Sequence, residues 1–352
     1  MTRSPKYSSQ PTVTMVLDSA YRYGTMQDMN ILVVGGAGYI GSHMVQMLGQ
    51  RGCEVTTLDN LSSGHRDAVL CGRFVHGDLA DAALLAGLLA YGKFDAVMHF
   101  ASFIQVGESV AQPAKYYRNN VSNTLNLLEV MQAFRVKRFI FSSTAATFGE
   151  PQYTPIDEAH PQRPINPYGR TKLMVEQALA DLDAAWGLKA VSLRYFNAAG
   201  ADPAGRLGER HDPETHLIPL VLQAASGRRP HIGVFGRDYD TPDGTCIRDY
   251  IHIEDLCQAH WLALQHLMDG GGSEAFNLGN GTGFSVQQVI DTARAVTGRE
   301  IHVVDGPRRT GDPAVLVADS RRARQHLGWT PAYPELSTIV AHAWEWERRA
   351  TA

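Results

Sequence analysis

Tyr168 and Lys172 stand four residues apart, just after Asn166-Pro167. Proline at a first helical position and a four-residue spacing put both side chains on one face of a predicted helix over 168–186. A lysine beside a phenol favours the phenolate and lowers a pKa that is otherwise about 10. Upstream, Phe141-Ser142-Ser143-Thr144-Ala145-Ala146 reads as a hydroxyl-rich strand end. A hydroxyl there can hydrogen-bond both an alcohol substrate and the phenol. Such pairs are common by chance, so the weight rests on what surrounds them.

The surroundings begin with Ile31-Leu32-Val33-Val34, a buried-strand pattern, followed by glycines at 35, 36, 38 and 41 and an amphipathic helix over 39–50. Strand, glycine turn and helix form a dinucleotide-binding opening, because a Cβ would hold the backbone away from a pyrophosphate seated on the helix N-terminus. Two registers fit: Gly36, Gly38, Gly41 and Gly35, Gly38, Gly41. Asp59 ends the second predicted strand at the position of a ribose-binding acid, about 20 residues on. Asn60 and Leu61 follow it, with no arginine to meet a 2′-phosphate, which favours NAD over NADP. Positive charge on an oxidised nicotinamide would then add to that of Lys172 and make Tyr168 a general base near neutrality.

Strands are predicted at 30–34, 54–58, 73–76, 95–99, 137–141 and 189–194, with helices at 39–51, 65–70, 80–91, 114–134 and 168–186. The alternation gives an α/β fold, a Rossmann-type doubly wound parallel sheet over 29–195. After residue 195 a smaller α/β lobe is expected over 196–346, with part of 247–270 returning to the sheet. Its helices are placed at 216–226, 253–268, 285–297 and 319–327, and its short strands at 231–235, 250–253, 275–278 and 301–304. Residues 1–28 read as a flexible arm with no secretory signal, and Met15, Met26 and Met29 are candidate functional starts. The 352 residues carry a net charge of −4, which gives no electrostatic case for nucleic acid or an anionic membrane. The most apolar helix-like stretch, 82–91, is too short to span a bilayer. Cys53, Cys71, Cys246 and Cys257 form no C-x-x-C pair and read as reduced thiols of a cytoplasmic protein. Glu209, His211, Glu214 and His216 offer four potential metal ligands. Their spacing matches no recognised pattern, so a charged interlobe loop is expected and no metal. His99 reads as a core histidine.

From about Met29 to Trp329 the chain resembles the UDP-glucose 4-epimerase family of the extended short-chain dehydrogenase/reductase superfamily. The resemblance is carried by Gly35–His43, Leu58–Ser62, Gly77-Asp78, His99-Phe100-Ala101, Val106–Ser109, Tyr116–Val121, Asn166–Lys172, Leu193–Asn197, Tyr239–Thr245, Arg248–His252, Asn277-Leu278-Gly279 and Arg308–Asp312. It implies Tyr168 as base, Lys172 as its electrostatic partner and ribose anchor, and Thr144 at the catalytic hydroxyl position. NAD would be lined by Gly35, Gly38, Tyr39, Ile40, Gly41, Asp59, Asn60, Asp78, Leu79, Phe100, Ala101, Asn119 and Tyr195. The UDP-sugar would be held by Asn197, His216, Leu217, Phe235, Arg248, Arg309, Asp312 and Leu316. Two arginines suit a diphosphate and a carboxylate suits a ribose diol. The resemblance also implies a homodimer through the helices near 114–134 and 168–186.

The chain departs from the family at Ile104, where lysine is frequent, and at Thr144, where serine is. Phe148 replaces a frequent tyrosine, His216 a frequent asparagine, and Leu316 is intermediate in size at a position that limits the sugar pocket. None removes a catalytic group. The implied chemistry is C4 oxidation of a UDP-hexose, rotation of the 4-keto sugar, and re-reduction on the other face. A 4,6-dehydratase needs carboxylates after the strand-end hydroxyl, where Ala145 and Ala146 stand. UDP-pentose or UDP-N-acetylhexosamine epimerases, and a non-catalytic NAD-sensing scaffold, are the remaining alternatives.

Overall fold

A computed structural model describes residues 29–309 and 312–350. The proposed arm over 1–28 lies outside the described residues. Six parallel strands, β1 (Asn30–Val34), β2 (Glu54–Asp59), β3 (Arg73–His76), β4 (Ala96–His99), β5 (Arg138–Thr144) and β6 (Lys189–Tyr195), form a sheet in the order 3-2-1-4-5-6. The chain moves outward from β1 in one direction and then from β4 in the other, so a crevice opens above β1 and β4 at the strands' carboxyl ends.

The alternation of β1 explains how the sheet is held. Ile31 and Val33 point into one buried cluster, with Met44 of the first helix and Leu256 and Leu264 of the helix Ile253–Met268. Leu32 and Val34 point into the other, with Leu85, Leu127 and Val175. A strand buried on both faces needs a continuous apolar run, and β1 has one.

Several expectations are corrected. The strand near 275–278 does not belong to the C-terminal lobe; Glu274–Leu278 pairs in parallel with β6 and becomes the seventh strand of the main sheet. The helix expected at 65–70 is only a 3₁₀ turn, Arg66–Ala68. The strand expected over 137–141 runs on to Thr144. The helix expected over 114–134 is interrupted by a π-helical segment, Tyr117–Ser122. The lobe strand expected at 301–304 is Val303–Gly306.

The C-terminal lobe has its own core, in which Val221, Ile290 and Ile339 bring together the helices Leu217–Ala225, Val286–Thr297 and Leu336–Ala350. These helices cover the paired strands Ile232–Phe235 and Val303–Gly306. A three-stranded patch of two-residue strands, Phe284–Ser285, Ile247–Arg248 and Val315–Leu316, faces the crevice.

Candidate active site

The crevice between sheet and lobe is a cleft of about 720 Å³, large enough for a nucleotide-sized ligand. The glycine turn forms one wall. Gly35 has φ +77°, and a Cβ there would sit 2.5 Å from the Ala101 backbone nitrogen. A Cβ on Gly41 would sit 2.2 Å from the Gly35 carbonyl oxygen. At Gly38 the nearest atom would be 3.5 Å away, so its face is open to the cleft. Gly36 packs against Thr57 under the turn instead, which selects the Gly35, Gly38, Gly41 register for the cleft. Gly38 caps the first helix, Tyr39–Gln50, without a side-chain hydrogen bond. The first N–H groups of that helix therefore face the cleft and suit an anion. Asp59, buried at the end of β2, accepts from the Ala37 N–H (2.9 Å) and the Leu61 N–H (2.8 Å), so its carboxylate also fixes the turn.

Opposite stand Tyr168, Thr144 and Lys172. The Asn166 side chain caps the helix Pro167–Trp186 by accepting from the Gly169 N–H at 2.8 Å. A Cβ at Gly169 would meet the Ala146 carbonyl at 2.3 Å, so glycine lets the helix start press against the end of β5. Tyr168 thereby meets Thr144, with neither more than 9% exposed. Lys172, 2% exposed, donates to Ser102 Oγ and to the Ser142 carbonyl, both at 2.8 Å. Its Nζ stands 6.0 Å from the Tyr168 ring centre.

Without cofactor the electrostatics of the pair are set by burial. In the protein alone, burial pushes the Tyr168 phenol up to about 12, with Thr144 pulling the other way. Burial also takes Lys172 down to about 7, against the pull of Glu176. The lysine does not by itself make a phenolate, because the same dry pocket disfavours both charges. The other strand-end hydroxyls are occupied: Ser142 meets the Tyr195 hydroxyl, and Ser143 donates to Glu176, which is paired with Arg194 inside the protein. Thr144 lies beside Tyr168 in the cleft wall.

The chain belongs to the NAD dependent epimerase/dehydratase family.

The match to that family runs over residues 31–279. The chain is 54% identical over 320 residues to the UDP-glucose 4-epimerase of Halalkalibacterium halodurans, covering 91% of this chain and 96% of the relative. It superposes with a TM-score of 0.88, at 51% identity, on the crystal structure of UDP-glucose 4-epimerase from Brucella ovis in complex with NAD, covering 90% and 97% of the two chains. The structure of the UDP-Glc/GlcNAc 4-epimerase from Campylobacter jejuni is similar at 44% identity and a TM-score of 0.81, covering 92% and 99%.

The family's cofactor suits this cleft by its glycine turn, open at Gly38 and walled by Tyr39, Ile40, Phe100 and Tyr195. The other expected cofactor residues lie outside the cleft lining. Asn60 donates to Asp78 at 2.6 Å on an exposed edge, and the Leu79 side chain is buried in the core. Ala101 packs under the glycine turn, and the Asn119 amide donates to Asn120 at 2.9 Å.

All eight expected substrate residues line the lobe side: Asn197, His216, Leu217, Phe235, Arg248, Arg309, Asp312 and Leu316. Arg309 stacks 4.0 Å over the Phe235 ring. Arg248 is tied to Asp312 at 3.0 Å and to the Pro313 carbonyl at 2.9 Å. Asn197 donates to the Asp249 carbonyl at 3.1 Å.

Sequence reasoning missed Asn120. Buried on the π-helical segment, it accepts from the Phe103 N–H (2.9 Å) and donates to the Phe103 carbonyl (3.0 Å) and Thr171 Oγ1 (3.1 Å). It thus clips the loop carrying Ser102 to the catalytic helix. An extra residue in a helical turn often marks a functional site, but its only sequence trace is an Asn-Asn pair inside an otherwise helical pattern.

Proposed function

We propose that this protein interconverts UDP-glucose and UDP-galactose at C4. The observation that carries the reading is the burial of Tyr168 against Thr144 and near Lys172, directly across the cleft from an arginine-bearing wall. Bound NAD supplies the acceptor, and then the donor, of the C4 hydride. Thr144 hydrogen-bonds the 4-hydroxyl, and Tyr168 takes its proton and later returns it. Lys172 anchors the cofactor ribose and stabilises the phenolate as it forms. Arg248 and Arg309 hold the diphosphate, and Asp312 a uridine ribose hydroxyl. This remote grip keeps the keto sugar in place while it turns.

Incubation with UDP-galactose without added NAD tests this. UDP-glucose should accumulate from retained cofactor; no conversion, even with added NAD, refutes it. UDP-N-acetylhexosamines are a second reading. Leu316, packed against Ala145, Phe148 and Ile156, leaves more room than an aromatic would, and the relative that acts on UDP-GlcNAc supports trying that sugar next. We also read the protein as a homodimer through the helices near 114–134 and Pro167–Trp186, the latter with Met174 exposed; sedimentation velocity checks this.

A further inference from the structure

The loop leading into the helix Leu217–Ala225 gathers a second set of reactive side chains. Glu209, His211, Glu214 and His216 each place one ligand atom within 4.8 Å of the others. His211 Nδ1 lies 3.2 Å from Glu209 Oε1 and 3.6 Å from Glu214 Oε1, while His216 Nδ1 touches Glu209 Oε1. Zinc bonds imidazole nitrogen and carboxylate oxygen at about 2.0–2.2 Å, which puts tetrahedral ligand atoms about 3.3–3.6 Å apart. One edge of the cluster already has that length and a second is about 0.1 Å short of it.

The set is built into the fold. Both carboxylates are only 5% exposed. Glu214 Oε1 is fixed by the N–H groups of Thr215 (2.7 Å) and His216 (2.9 Å). The His211 ring stands edge-on to Tyr39 on one side and to His216 on the other. Arg210 points away, paired with Asp67. Burial pulls His211 down, but its hydrogen bonds to Glu209 and Glu214 outweigh this and raise it to about 10. Burial pushes Glu209 up, but His216 and His211 outweigh this and bring it to about 2.

We propose that Glu209, His211, Glu214 and His216 bind one divalent ion of the zinc class in the wall of the cleft. Two imidazoles and two carboxylates suit Zn²⁺ or Co²⁺; Mg²⁺ and Ca²⁺ prefer oxygen throughout. The ion cross-links the loop that leads into the helix Leu217–Ala225. It does not enter the hydride or proton steps proposed above.

The test uses full-length, NAD-loaded protein stripped with EDTA and titrated with Co²⁺, then Zn²⁺. One equivalent of Co²⁺ should bind with the intense visible absorption of a tetrahedral site, and one equivalent of Zn²⁺ should displace it. Calorimetry in two buffers of different ionisation heat should show proton release on binding. His211→Ala and Glu214→Gln should each weaken Zn²⁺ binding by at least about 100-fold while circular dichroism and bound NAD are unchanged. Should His211→Ala fail to fold, Glu214→Gln alone decides. Absence of stoichiometric Co²⁺ binding, or binding that survives the substitutions, overturns the proposal; the latter would mark an adventitious site such as the neighbouring His231 and His302. Because every readout is of metal binding, failure here is separate from failure of the sugar reading.

Discussion

The two walls of the cleft are made differently. On the sheet side, Tyr168, Thr144 and Lys172 come from the first two turns of a long helix and the last residue of a seven-residue strand, and none is more than 9% exposed. On the lobe side, Phe235 is 39% exposed, and the side chains of Asp312 and His216 are 34% and 43% exposed. Phe235 ends a four-residue strand, and Asp312 and His216 stand in loops. Proton transfer tolerates little misplacement, so its groups sit on regular, packed backbone. A diphosphate can be gripped by long side chains that adjust.

If that contrast is right, Tyr168→Phe has the largest effect. It should lower kcat by about 10²–10⁴-fold with the UDP-sugar KM and bound NAD little changed. Steady-state kinetics check this, and retained kcat would break the comparison.

The glycine turn should divide into scaffold and contact. Gly35→Ala imposes a left-handed conformation and a clash with Ala101, costing about 1–3 kcal/mol or more and lowering the melting temperature. Gly38→Ala has space, so the protein should fold normally yet lose NAD on gel filtration.

On the lobe side Arg309→Ala should raise KM about tenfold and leave kcat nearly intact. Phe235→Ala, which removes the stacking partner of Arg309 but no charge, should cost less, about 0.5–1 kcal/mol.

The subtlest difference is in the pH dependence of stability. Lys172 falls from its ordinary 10.5 to about 7, so between these values the unfolded chain holds a proton that the folded chain has released. Its contribution therefore rises with pH across that window. His211 rises from 6.5 to about 10; its contribution is complete below 6.5 and is lost as pH climbs through 10. The two oppose each other in the wild type. In metal-free protein, urea midpoints from about pH 7 to 10 should fall more steeply for Lys172→Met and tilt upward for His211→Ala.

What could be read from the chain follows the same division. β1, the glycine turn and the Tyr168–Lys172 pair are local patterns, since each is contiguous and its spacing encodes its geometry. Thr144 needed only a strand three residues longer than the apolar run suggested. The electrostatics of Tyr168 could not be read, because burial opposes the lysine and burial is a property of the whole fold. The role of Asn120 depends on a π-helical turn, which no periodicity announces. The gathering of Glu209, His211, Glu214 and His216 depends on how one loop doubles back.

The seventh strand carries a consequence for how the protein is made. Glu274–Leu278 completes the main sheet, yet it is translated only after the first half of the lobe. As the nascent chain leaves the ribosome, β6 has its inner partner but an open outer edge, and such an edge invites pairing with other chains. Cutting at the exposed Gly270-Gly271-Gly272 run just before it would give two fragments that each hold part of one sheet, and neither half would be a finished unit without the other.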